Sequence, residues 1–233
     1  AGVLFVPCHW ILVFYEKVCR FSARLPGAAW ITGQPDWQKL LLFYVVLGAV
    51  LLAMKKIKRR HGFVLIGCFM LLALLHNPVR GFELDVLDVG QGDGICIRMP
   101  GGKNCLIDGG SSDVSSVGAY RIEPYLLYCG IRNIDYAFVS HGDEDHISGI
   151  RELLQDQKLG IGIRTLVLPA EKYWDEKLKE LAVLAAENGT RIAEIHAGEQ
   201  VVDGTGEQKM SLRCIGPEMV LSESGNAASM VLQ

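Results

Sequence analysis

Acidic residues are almost missing from the first 80 positions: Glu16 and Asp36 stand against ten Lys/Arg, a net charge of +8. The rest of the chain carries 13 bases and 24 acids, a net of −11, so the overall −3 conceals two unlike parts. The seven cysteines (8, 19, 68, 96, 105, 129, 214) include no Cys-x-x-Cys pair and follow no regular spacing. This excludes a disulfide framework and a zinc knuckle, and most of the thiols are expected to be small buried apolar residues. Internal repeats and low-complexity segments are absent as well. No basic region precedes the apolar start, which argues against a secretory signal peptide. The chain opens on Ala1 rather than Met, and Val3–Tyr15 reads as the end of an apolar helix already under way. Met230–Gln233 stops inside a strand pattern, so the expectation is an internal stretch of a longer protein. Half of the residues are hydrophobic and 21% are charged, with mean hydropathy +0.24. That excludes an intrinsically disordered chain, which needs low hydrophobicity and high net charge.

The basic part, 1–80, is expected to be the end of a membrane helical domain. Two apolar runs, about 37–54 and 62–76, are at or below the ~17–25 residues of a spanning helix; a pair of buried core helices is the alternative. Between them stand Lys55, Lys56, Lys58, Arg59 and Arg60. By the positive-inside rule that loop is cytoplasmic, which makes 81–233 extracytoplasmic; contact with anionic lipid or nucleic acid is the other use of such a cluster. Trp37 and Tyr44 suit the outer interface of the first span. Residues 1–24 read as the tail of an earlier span or as an interfacial helix.

From Gly81 the pattern changes to short strands separated by glycine turns. Strands are expected at Phe82–Val89, Ile95–Met99, Cys105–Ile107, Ile134–Ser140, Thr165–Leu168, Arg191–Ile195 and Met210–Ile215. Helices are expected at Ile122–Tyr128, Ile147–Gln155 and Asp175–Asn188. Strands alternating with helices after early hairpins indicate a layered α/β domain over 81–233.

Ser140-His141-Gly142-Asp143-Glu144-Asp145-His146 holds two histidines and two aspartates between an apolar strand and a helix. Imidazole and carboxylate are ligands that zinc or manganese accepts, and one tight loop can aim several of them into a common cavity. The alternative is a polar loop that caps the helix, with Asp145 as N-cap. Asp93 lies on the Gly-rich turn 90–94, which could face the same site; for Asp88 and Asp93 the alternative is turn chemistry.

At these residues the sequence resembles the metallo-β-lactamase superfamily, whose usual loop is His-x-His-x-Asp-His. Residues 84–149 resemble more closely the C-terminal domain of ComEC-like competence proteins, membrane channels for DNA uptake in bacteria. The matching elements are Leu87–Asp93, Leu106-Ile107-Asp108-Gly109-Gly110 and Ser140–Gly149, and Asn226–Leu232 is similar to a later Asn-x-x-Ser strand. The resemblance implies the first half of an αββα sandwich preceded by transmembrane helices, in a multi-pass protein of the bacterial cytoplasmic membrane. It implies two divalent ions, zinc or manganese: His141 and Asp143 on the first, with Asp143 where histidine is usual, and Asp145 and His146 on the second. Asp145 would also orient or deprotonate the attacking water, with Asp108 and Asp93 in support. A later bridging aspartate and a later His motif have no match here, so the stretch is expected to be catalytically incomplete. The implied role is uptake of transforming single-stranded DNA, with an outward-facing nuclease domain and other competence proteins as partners. Two alternatives remain: a channel whose domain only docks, or a membrane-anchored hydrolase of another substrate class.

Overall fold

A computed structural model describes residues 2–23, 25, 27–28, 31–53, 59–73, 81–155, 161–204, 209–217 and 229–233. The chain divides into two compact units, Ala1–Ile31 and Thr32–Gln233. The first holds helix α1 (Gly2–Ala23), whose Phe5, Trp10, Phe14 and Phe21 are exposed and which carries Glu16, Lys17 and Arg20. The second begins with α2 (Trp37–Ala53) and α3 (Arg59–Ala73), which meet where Phe43 and Phe69 stack at 5.9 Å. The expected spans 37–54 and 62–76 fall on these helices, although Met54 and residues 74–76 lie outside the described residues, as do Lys55–Lys58. Among the described residues no helix is long and apolar enough to cross a membrane. The 17 residues of α2 give ~25 Å at 1.5 Å per residue, short of a ~30 Å hydrocarbon core.

The α/β part builds a six-stranded sheet in the order β1 (Glu83–Val86), β2 (Ile95–Arg98), β3 (Asn104–Ile107), β4 (Asn133–Phe138), β5 (Gly162–Pro169), β6 (Arg191–Ile195). The β1–β2–β3 pairs are antiparallel hairpins and β3 to β6 run parallel. The parallel run requires crossovers, supplied by α4 (Glu123–Cys129, entered through a π-turn at Gly118–Ile122), α5 (Glu144–Gln155) and α6 (Glu176–Glu187). Asp175 caps α6 by accepting the Leu178 N–H at 2.8 Å. A second sheet, β7 (Gln200–Asp203), β8 (Met210–Gly216) and β9 (Val231–Leu232), is antiparallel.

Alternation along the strands sorts the two faces. Cys105, Phe138 and Val167 meet Met210 and Cys214 of the second sheet, and Met230 just before β9, in one apolar core. Leu106, Ala137 and Leu166, which share a register across β3, β4 and β5, lie fully buried on the opposite face. Ile147, Ile150, Leu178 and Leu181 of α5 and α6 are likewise buried. The fold is therefore the expected layered mixture of helices and sheets. Four of the seven cysteines are buried, and burial pushes the Cys96 and Cys105 thiols up to about 12, which makes them inert packing groups. Cys8, Cys19 and Cys68 are instead exposed on helices. Of the expected strand Asn226–Leu232, residues 226–228 lie outside the described residues and Val231–Leu232 pairs with β8.

Candidate metal centre

Parallel strands β3 and β4 end side by side, and the loops leaving their C-terminal ends carry Asp108 and His141. Asp108 is buried and adopts φ 53°, the left-handed region that an Asp side chain tolerates better than most. Its carboxylate reaches three groups. Oδ1 accepts the Ser140 backbone N–H at 2.8 Å, and Oδ2 accepts the Ser140 hydroxyl at 2.8 Å. His146 Nδ1 lies 3.0 Å from the same Oδ2.

Helix α5 starts at Glu144, three residues earlier than the apolar periodicity implies. Asp145 is therefore its second residue rather than its N-cap, and Asp143 stands at the position before the helix. The early start has a physical cause: acidic residues favour the positive end of a helix dipole, and this first turn faces the site instead of the core. Glu144 points away. Arg151, at 2.8 Å, holds its carboxyl below the usual range, and Lys177 adds to this at 3.4 Å.

The two imidazoles lie 4.0 Å apart between ring centroids and both are buried. The Ser140 hydroxyl proton goes to Asp108, so Ser140 Oγ is left to accept, and His141 Nδ1 lies 3.0 Å from it. Ser229 Oγ is 3.1 Å from the same Nδ1. Both rings thus engage Nδ1 on the protein and turn Nε2 toward the carboxylates of the loop, the arrangement that outer-shell partners impose on ligating histidines. His141 Nε2 is buried with no hydrogen-bond partner, 3.3 Å from Asp143 Oδ2. His146 Nε2 is 3.8 Å from Asp145 Oδ2. For His146, burial opposes the charged ring. The hydrogen bond and charge of Asp108, with Asp145 and Asp93 behind it, more than offset that and raise its pKa.

Asp93 reaches the site from the Gly-rich turn: its Oδ2 is 3.7 Å from His146 Nδ1, and its N–H donates to the Asp145 carbonyl at 3.1 Å. Asp88 stays at the surface, 3.6 Å from Arg121. The glycines beside these aspartates are required by close backbone approach. A Cβ on Gly110 would sit 2.4 Å from main-chain atoms of Glu144, Asp145 and His146, and one on Gly92 would sit 2.2 Å from the Gly110 carbonyl oxygen.

Of the expected site residues, His141, Asp143, Asp145, His146, Asp108 and Asp93 are thus gathered at one end of the sheet. Sequence reasoning missed Ser140 and Ser229, whose hydroxyls fix the His141 ring. Ser229 lies in the Asn226–Leu232 stretch noted for its resemblance, and Met230 N–H anchors it to the Ser140 carbonyl at 2.9 Å. His196, read as a strand-end surface residue, is exposed just after β6.

The model of the metallo-β-lactamase superfamily matches residues 87–211, more than half of the chain and the whole of this site apart from Ser229. The chain belongs to the metallo-β-lactamase superfamily. It is also ComEC-like over most of its length. It is 28% identical over 212 residues to "ComE operon protein 3" of Bacillus subtilis (strain 168), a match that covers 83% of this chain and 26% of that protein. It is 36% identical over 95 residues to "Recombination protein 2" of Haemophilus influenzae, covering 40% of this chain and 12% of that protein. The chain therefore spans about a quarter or less of the curated relatives it matches.

The superfamily fold implies use of divalent metal. The donors present fit such an ion as two His–carboxylate pairs, each with an Nε2 beside an anionic oxygen, and His141 Nε2 is a buried nitrogen that makes no hydrogen bond. Among the described residues, no group of three or more His, Cys, Asp or Glu side chains is already arranged to hold one ion.

Proposed function

We propose that this chain is part of an integral membrane protein for uptake of transforming DNA, and that its α/β domain is a metal-dependent hydrolase of phosphodiesters in single-stranded DNA. One observation carries the hydrolase reading: the buried Nε2 of His141, without a hydrogen bond and 3.3 Å from Asp143 Oδ2, beside a His146 ring whose Nδ1 is held by Asp108. His141 with Asp143, and His146 with Asp145, would each hold a divalent ion, zinc or manganese. Such ions lower the pKa of water and neutralise charge on both oxygens of a phosphodiester displacement. The remaining chemistry belongs to the chain itself. Asp145 Oδ2 accepts the proton of the attacking water. Asp108 keeps the His146 proton on Nδ1, and Ser140 and Ser229 do the same for His141.

The membrane reading draws support from the uncovered apolar side chains of α2 and α3, among them Leu41, Leu42, Val45, Leu52, Phe63 and Val64. With 37–54 and 62–76 as spans of a cytoplasmic membrane and the cationic loop inside, 81–233 faces outward. The boundary between helical part and hydrolase part is read at 80/81. Other competence proteins are the partners this role requires.

The test uses the full-length protein. Metal content and manganese- or zinc-dependent cleavage of single-stranded DNA are measured for wild type and Asp145→Ala. A fall of about 10²- to 10⁴-fold on removing the proton acceptor is expected. Bound metal without DNA cleavage would point to another substrate class. Neither metal nor cleavage would leave a second reading, a docking module for a transport channel. What keeps that reading open is Asp143, a carboxylate where the superfamily usually has histidine.

A further inference from the structure

The end of the sheet opposite the candidate centre carries a cavity of about 320 Å³ where β3, β4 and β5 begin and β2 ends. Its lining includes four cations, Arg98, Lys103, Arg132 and Arg164, and one carboxylate, Asp135. This is an unusual place to find them, because the chain from Gly81 onward has only 13 bases against 24 acids. Part of the charge has structural work. Asp135 is buried and accepts Arg164 Nη1 at 2.8 Å and the Asn104 N–H at 3.1 Å, with Lys103 Nζ at 3.7 Å. Lys103 also reaches Asp203 at 2.9 Å, and Arg98 reaches Glu83 and Asp85.

That duty does not use up the donors. The Arg164 side chain is 61% exposed despite its bond to Asp135, which leaves part of the guanidinium fork open. Arg98 Nε is buried with no hydrogen-bond partner. Arg132 is exposed and, among the described residues, its side chain has no ion-pair partner. Unsatisfied buried donors cost free energy unless an acceptor arrives, and guanidinium forks match phosphate oxygens geometrically.

We propose that this cavity is a second nucleic-acid contact, one that holds the phosphodiester backbone of a single strand away from the metal centre; the proposal rests on the reading that DNA is the substrate. Six residues of β4 separate the two ends of the sheet, ~20 Å at about 3.3 Å per residue, so one strand several nucleotides long touches both. The cavity also adjoins the chain that enters α2. Gln34 N–H donates to the Tyr128 carbonyl at 2.8 Å, and a Cβ on Gly33 would lie 3.0 Å from the nitrogen of Gly130, a lining residue. The cations supply the attraction that the centre's carboxylates oppose.

Binding of a fluorescent oligothymidylate to the full-length protein, in EDTA so that metal contributes nothing, is measured by anisotropy across a salt series. Arg132→Glu should weaken binding about five- to tenfold and reduce the slope of log K against log salt by about 0.7 per lost phosphate contact. Lys179→Glu, on the outer face of α6, should do neither. Metal-dependent hydrolysis of a small phosphodiester, bis(p-nitrophenyl) phosphate, should be unchanged in Arg132→Glu. Unaltered oligonucleotide affinity in Arg132→Glu overturns the proposal. So does Arg132-dependent binding of phosphatidylglycerol vesicles without oligonucleotide binding, which would assign the cavity to lipid. Absence of hydrolysis in the wild type, with Arg132-dependent binding in EDTA intact, would sink the hydrolase reading and leave the cavity as a contact for DNA that is carried rather than cut.

Discussion

Replacing Asp108 by Asn changes one atom and a charge, and the site converts that change into a tautomer. The left-handed backbone at 108 (φ 53°) suits Asn at least as well as Asp, so no strain is added. The amide carbonyl must take the Oδ1 place, because the Ser140 N–H there can only donate. The amide NH2 then occupies the Oδ2 place, facing the Ser140 hydroxyl and His146 Nδ1. The hydroxyl can rotate to accept. His146 can accept only by moving its proton to Nε2, the nitrogen proposed above to meet the metal. Loss of charge-assisted hydrogen bonds should destabilise the fold by about 1–3 kcal/mol, while metal affinity falls about 10- to 100-fold, as when an outer-shell partner of a ligating His is removed. Calorimetric titration of zinc into wild-type and Asp108→Asn protein measures the affinity, and nitrogen-detected imidazole spectra report the tautomer. An Asp108→Asn protein that binds zinc within twofold of wild type, with Nδ1 still protonated, would refute this account of the site.

Gly110→Ala places a methyl against main-chain atoms of the first turn of α5 rather than against a movable side chain; a loss of about 3 kcal/mol or more is expected, against no loss and a gain of up to about 1 kcal/mol for Gly67→Ala inside α3, where a Cβ meets nothing, and urea melts decide. The raised pKa of His146 gives a signed pH dependence. In the metal-free protein its contribution is complete below pH 6.5 and is lost as the pH rises through the raised value, so in chelator the stability gap between wild type and His146→Gln should shrink from pH 6 to pH 9. Zinc affinity should rise over the same interval, because the ion must displace that proton; a gap that widens with pH would contradict the ion-pair assignment.

The candidate site was legible in the sequence because its residues are concentrated. His141, Asp143, Asp145 and His146 share one loop and helix turn, and Asp108 follows directly from an apolar strand. What stayed hidden was of two kinds. Ser140 and Ser229 look like any serine until folding sets 88 residues of chain separation to a 3.1 Å contact. The start of α5 was invisible to apolar periodicity, because Glu144, Asp145 and His146 are placed by the site. Strand β7 escaped notice for a related reason: four residues with a single pair of valines carry too little alternation to register, and only pairing with β8 makes them a strand. The cavity at the far end is assembled from Arg98, Lys103, Arg132 and Arg164, scattered over 67 positions, and only the sheet gathers them.

The main-chain stitching around Gly110 bears on how the site is lost. Asp93 N–H bonds to Asp145, Gly109 N–H to His146, Gly110 N–H to Asp93 and Ile150 N–H back to Gly109. These four amides tie three segments into a closed loop of bonds, so none can exchange its proton with solvent while the others stay shut. Such a knot opens as one cooperative unit. Hydrogen exchange at the four should share a single opening free energy, and the donors should vanish together rather than fray one by one.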